Sequence, residues 1–154
     1  MLAMNQYGES HSVSVLDTEE IWRLLGKNSF GRLVLVVDRR VDIFPINYAS
    51  SPDRAIIFQT ASGTKLAELT VNEKVLFEVD DISSNQAWSV MVRGHAQWLQ
   101  KSAEIQEAED LKLRPWVPTL KDHYVRIIPT EISGRRFQFA ADSSGDLGEG
   151  SRSG

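Results

Sequence analysis

The sequence predicts a mainly β protein: an antiparallel β-barrel of about six strands with a few helices attached. Three observations lead there. Apolar, β-branched runs recur along the chain: RLVLVV, VDIFPINY, AIIFQT, VLFEV, AWSVMVRGHAQWL and HYVRII. Short turn signals such as Asp38-Arg39-Arg40 and Ser50-Ser51-Pro52-Asp53 separate several of them, and short links suit antiparallel neighbours. Helical patterns are too few to cover both faces of a parallel sheet.

Taken in order, residues 1–15 are polar and mixed and read as a flexible N-terminal arm. Asp17 opens a helix, with Glu20 at capping-box spacing. Ile21, Leu24 and Leu25 give its apolar stripe, and Gly26 reads as its stop. Strands follow at residues 32–37 and 41–48, where Pro45 cannot donate to a ladder. Residues 55–60 form a third strand, and a short helix around Leu66 interrupts the series. Residues 75–79 form a fourth, with Asp80 and Asp81 read as its end. The fifth, 87–99, is long, and Gly94 marks a bend or bulge. A polar helix at 102–113 is broken by Pro115 and Pro118. Residues 123–128 are the sixth strand, resumed at 136–139. The last stretch, 141–154, holds four Gly and four Ser and reads as a disordered tail. One domain, residues 16–140, remains.

Composition narrows the function classes. A chain of 154 residues suits a single core, and 42% hydrophobic with 25% charged residues is ordinary for a globular protein. The net charge of -4 argues against a dedicated nucleic-acid binder. With no cysteine there is no disulfide, thiolate metal site or cysteine nucleophile. His11, His95 and His123 lack companions at metal-ligand spacing, so no metal is expected. The N-terminus shows no signal-peptide pattern and no stretch reaches the ~18 apolar residues of a membrane span. The expectation is a cytoplasmic protein that binds neither nucleic acid nor membrane.

The stretch FQTASGTKLAELT, residues 58–70, carries the clearest chemistry. A strand ends at Thr60, a small-residue turn follows, and Lys65 leads into a helical pattern. Ser62 and Thr64 hydroxyls, a pliable Gly63 and a lysine at a helix start suit a phosphate monoester. The same residues also suit a capped helix with a solvated lysine, and the spacing is not that of a P-loop. Four tryptophans, at 22, 88, 98 and 116, suit a core, an interface or the framing of a planar ring. Trp88 and Trp98 share a face of a regular strand, or opposite faces if Gly94 bulges it.

The succession FGRLVLVV…FPINYA…IIFQTASGTKLAEL…EKVLFEVDD…WSVMVRGHAQWL…VRIIPTEISGRRF, from about residue 21 to 139, resembles the pyridoxamine 5′-phosphate oxidase-like FMN-binding split-barrel family. The resemblance implies a six-stranded split barrel and a homodimer with FMN in the groove between subunits. Thr60, Ser62, Thr64 and Lys65 would hold the phosphate, and the backbone of Pro45, Ile46 and Asn47 would face the isoalloxazine edge. Trp88 and Ser89 would reach the flavin from the second subunit. The resemblance further implies an FMN-dependent oxidoreductase acting on a small molecule, with a nicotinamide electron donor. Its relatives leave open a deazaflavin or haem instead, or a binding and sensing module without turnover. True pyridoxamine oxidases resemble a pattern with arginine where this chain has Thr64, and with a later tryptophan–arginine region that is absent after Trp116. Vitamin biosynthesis is therefore not the expected reaction.

Overall fold

The computed structural model describes residues 12–61, 63–64, 66–67, 74–114 and 123–140. They form β1 (Val13–Val15), α1 (Thr18–Lys27), β2 (Phe30–Val37), β3 (Arg40–Ser50), β4 (Ile56–Thr60), β5 (Lys74–Ile82), β6 (Gln86–Trp98), α2 (Ser102–Asp110) and β7 (His123–Gln138). Most of the arm, the Gly/Ser tail, Ser62, Lys65 and Trp116 lie outside the described residues.

Each strand pairs antiparallel with its neighbours, and the order β7-β4-β3-β2-β5-β6 returns to β7. Six strands thus close a ring, which leaves no free sheet edge within it. The seventh strand is β1, taken from the stretch read as the arm. It pairs outside the ring with the far end of β7, Val13 opposite Phe137, and the Leu16 amide donates to the Gly134 carbonyl at 2.9 Å. Strand β7 serves three partners because it runs unbroken through Pro129, where the sequence suggested two separate pieces.

The ring is filled from within. Leu33, Leu35, Phe58, Phe77, Val90, Val92, Val125 and Ile127 are all at most 1% exposed. Helix α1 closes on this core through Ile21, Leu24 and Leu25. Tyr48 lies edge-on to Phe77 with centroids 4.9 Å apart and donates its hydroxyl to the Leu25 carbonyl at 2.7 Å. Burial pushes the Tyr48 hydroxyl pKa up, so it stays a donor.

Local rules succeed or fail at identifiable places. Asp17 caps α1, its Oδ1 accepting the Glu20 amide at 2.8 Å. Gly26 does not stop the helix, which runs to Lys27 and is closed by the Asn28 side chain donating to the Leu24 carbonyl at 2.8 Å. Asp80 and Asp81 do not end β5; they pair with Ser89 and Trp88, and the strand reaches Ile82. Helix α2 stops at Asp110, short of 113, and Lys112 takes φ +52. A bulge does occur at Gly94, but its extra residue is Thr130 on β7: Arg93 pairs with Glu131, Gly94 with Pro129. Strand β6 therefore keeps its phase, and Trp88 and Trp98 share the inward face, both packed on the same core.

Candidate functional site

The turn after β4 rests on the most buried strand of the ring. Ile56, Ile57 and Phe58 are at most 1% exposed, and they set Thr60, itself buried, at the mouth of the turn. Thr60 Oγ1 lies 3.1 Å from Thr64 Oγ1. The Thr64 hydroxyl donates to the Ala61 carbonyl at 2.8 Å and accepts the Ala67 amide at 3.1 Å. A hydroxyl has one proton, so Thr60 is the donor between the two threonines. Thr64 thus caps the chain entering the next helical turn, the role the capped-helix alternative assigned to it. Gly63 sits at φ +74, with nothing among the described residues within 4 Å of where a Cβ would stand. Its backbone is open to close approach by a ligand. Ser62 and Lys65 flank it in sequence but lie outside the described residues.

Strands β3 and β4 pair at Tyr48 and Phe58, which brings Pro45, Ile46 and Asn47 to the same end of the pair as Thr60. Ile46 is buried inward, while Pro45 and Asn47 alternate to the outer face. These five residues, Pro45, Ile46, Asn47, Thr60 and Thr64, form one neighbourhood. Trp88 and Ser89 do not join it within one chain. Strand β6 stands three strands from β3 in either direction round the ring. Trp88 points into the core at 7% exposure. Ser89 faces outward, into a recess of about 350 Å³ shared with Met91, Ser133, Arg135 and Phe137.

A charged cluster adjoins that recess and was not legible in the sequence. Arg32 Nη1 lies 3.1 Å from Glu78 Oε2 and 3.0 Å from Asp80 Oδ2. Burial, then the neighbouring Asp80, pushes the Glu78 carboxyl up to about 7. Asp80 is paired with Ser89 and Glu78 with Met91, so the cluster and the recess share one outer face. The only sequence signal was two acids at i and i+2 on a strand. Their arginine arrives from β2, more than forty residues earlier, by strand pairing alone.

Among the described residues no helix is long and apolar enough to cross a membrane. Compared with known proteins, the chain is 45% identical over 89 residues to an uncharacterised protein of Mycobacterium tuberculosis strain H37Rv, covering 58% of this chain and 81% of that one. The solved structure of an FAD binding protein from Mycobacterium smegmatis is 43% identical and superimposes with a TM-score of 0.75, covering 82% and 99% of the two chains. A Corynebacterium glutamicum structure, provisionally named a pyridoxamine 5′-phosphate oxidase, is 42% identical with a TM-score of 0.77 and coverage of 84% and 96%. The family model described as pyridoxamine 5′-phosphate oxidase matches residues 17–136. With its closed antiparallel ring and this match over most of its length, the chain belongs to the pyridoxamine 5′-phosphate oxidase family.

Proposed function

We propose that the chain binds a flavin by its 5′-phosphate at the Thr60–Lys65 turn and serves as an oxidoreductase on a small molecule. The observation that carries the reading is the open backbone at Gly63, beside two threonines already braced to each other. A phosphate needs donors held in place, and the brace fixes Thr60 and Thr64 at the two ends of the turn. In this reading Ser62 and the Gly63 amide donate to phosphate oxygens and Lys65 supplies the charge, while the Thr64 amide is held by the Ala61 carbonyl at 3.3 Å. Thr60 is a positioning residue, since its buried hydroxyl is engaged with Thr64. Pro45, Ile46 and Asn47 flank the ring edge. A bound flavin would supply hydride and single-electron transfer, with position and polarity left to the protein.

The chain acts as a homodimer in this proposal. Ser89 cannot meet the Thr60 turn of its own chain, so a second copy must present it if both serve one flavin. A two-fold interface would then complete both sites at once. Light scattering at micromolar concentration tests this, and a stable monomer would remove Ser89 from the site. The FAD-binding relative at 43% identity favours FAD as the second reading for the cofactor. The mass of the co-purifying molecule separates FMN, FAD, deazaflavin and haem, and bleaching by NADPH tests for a nicotinamide donor.

Lys65→Ala is the direct test of the phosphate assignment. A hydrogen bond to a charged group contributes about 1.5–3 kcal/mol, so FMN affinity should fall roughly ten- to a hundredfold. Riboflavin, which lacks the phosphate, should bind mutant and wild type alike. Equal losses for both ligands would overturn the assignment.

A further inference from the structure

A second hollow, of about 820 Å³, lies on the outer face where β5, β6 and β7 meet the bulge. Val34, Val36 and Leu76 form its apolar floor, and Lys74, Arg93 and His95 stand round it with no carboxylate among the described lining residues. Strand pairing assembles the basic groups: Lys74 is directly opposite His95, and Leu76 opposite Arg93. Six of the nine other described arginines are neutralised by described carboxylates, whereas Arg39, Arg114 and Arg135 are not. Arg23, Arg32, Arg40, Arg54, Arg126 and Arg136 each have a carboxylate oxygen within 4.0 Å. Among the described residues no ion pair reaches Lys74, Arg93 or His95, although Glu131 is the register partner of Arg93. Lys74 and Arg93 stand diagonally across the strand pair, and like charges so grouped cost stability, here in a chain of net charge -4.

The backbone is shaped for the same hollow. A Cβ on Gly94 would stand 2.2 Å from the Ile128 carbonyl oxygen, so the two strands approach there as only glycine allows. The extra residue, Thr130, is set outward beside Arg93, whose carbonyl accepts its hydroxyl at 3.2 Å. Bulges re-aim side chains, and this one falls between the two basic residues of β6.

We propose that this groove is a ligand site separate from the Thr60 turn, taking a phosphorylated organic molecule with an apolar or planar body. The Arg93 guanidinium suits bidentate contact with phosphoryl oxygens, and Lys74 adds a second charge. The floor of Val34, Val36 and Leu76 covers the body of the ligand. The proposal does not depend on flavin binding.

Calorimetry on the full chain in saturating FMN tests it, with ADP, pyrophosphate and adenosine as probes. ADP should bind, more tightly than pyrophosphate and far more tightly than adenosine, and added salt should weaken it. The double variant Lys74→Gln, Arg93→Gln should lose roughly ten- to a hundredfold in ADP affinity. Lys112→Gln, an exposed cation after α2, should bind ADP as wild type does. If the double variant melts early, Arg93→Gln alone should show a smaller loss with wild-type melting. No ADP binding at millimolar concentration would overturn the site, as would undiminished binding by the variants or an equal loss in Lys112→Gln. Pyrophosphate binding as tightly as ADP would overturn the apolar half of the proposal. Competition between FMN and ADP would show that the groove is the flavin's own, whereas a chain that binds ADP but no FMN would sink the flavin reading and leave this one standing.

Discussion

The long ladder between β6 and β7 has two halves built on different rules. From Gln86 to Arg93 the register is regular, and its inner side at Gly134, the face shared with Val90, is covered by Leu16 and Ile21. There Arg136 of β7 meets Glu20 of α1 at 2.6 Å, so charge and apolar surface are both partnered within the chain. From Gly94 to Trp98 the register is shifted by one residue, and the outer side is the open basic hollow. The same two strands therefore make a helix platform on their inner side at one end and an exposed concavity on their outer side at the other. The difference shows that a single added residue can re-aim the outer side of a strand pair without disturbing the inward side chains that fill the barrel.

The largest expected effect is at Gly94. An added methyl would meet backbone, the Ile128 carbonyl oxygen at 2.2 Å and its carbon at 2.9 Å, and no side-chain rotation relieves that. Gly94→Ala should destabilise the fold by about 3 kcal/mol and abolish ADP binding in any population that remains folded. Denaturant melts with a wild-type midpoint would break the comparison at its root. Gly134 is the control in the regular half. Its added methyl would meet side-chain carbons, Leu16 Cδ1 at 3.0 Å and Ile21 Cγ1 at 3.1 Å, which can give by a few tenths of an ångström. Gly134→Ala should cost about 1 kcal/mol. Combined with Leu16→Ala, which removes the nearest carbon, Cδ1, it should cost less than the two single changes added together. No such rescue should exist for Gly94.

Smaller effects follow pH, with opposite signs in two ion clusters. Glu20 is held at about 2, first by its hydrogen bond from Arg23 and then by Arg136. A depressed carboxyl adds stability that is present above its ordinary 4.5 and lost as pH falls through about 2. Glu20→Gln should therefore lower Tm at pH 7, with the gap closing on acidification. Glu78, raised to about 7, is the reverse case. The folded chain holds that proton more tightly than the unfolded chain, so stability falls as pH rises from 4.5 through 7. The Tm of Glu78→Gln relative to wild type should climb between about pH 5 and pH 8. Parallel pH slopes for the two variants would show that neither cluster titrates as described.

What the sequence determined by itself was local. The Asp17 cap, the apolar stripe of α1, most strand positions, the special backbone at Gly94 and the hydroxyl-rich turn after Thr60 each depend on a few neighbouring residues. Their chemistry is the same before and after folding, so their spacing could be read. Together with the order of motifs, they were enough for the barrel and for its family. Strand pairing decided the rest, because it joins residues far apart in sequence. It placed Thr130 rather than a residue of β6 in the bulge, and so turned Trp88 and Trp98 to the same inward face. It carried Asp80 and Asp81 past their expected end, because β6 offers Ser89 and Trp88 as partners. It added β1, whose short run is too polar to signal a strand until the far end of β7 provides a ladder. It brought Arg32 to Glu78 while leaving Lys74 and Arg93 with no ion pair among the described residues, and so determined which charges are spent on folding. Charges are free to choose partners only after the backbone has fixed who stands opposite whom, and that is decided by the closed ring as a whole.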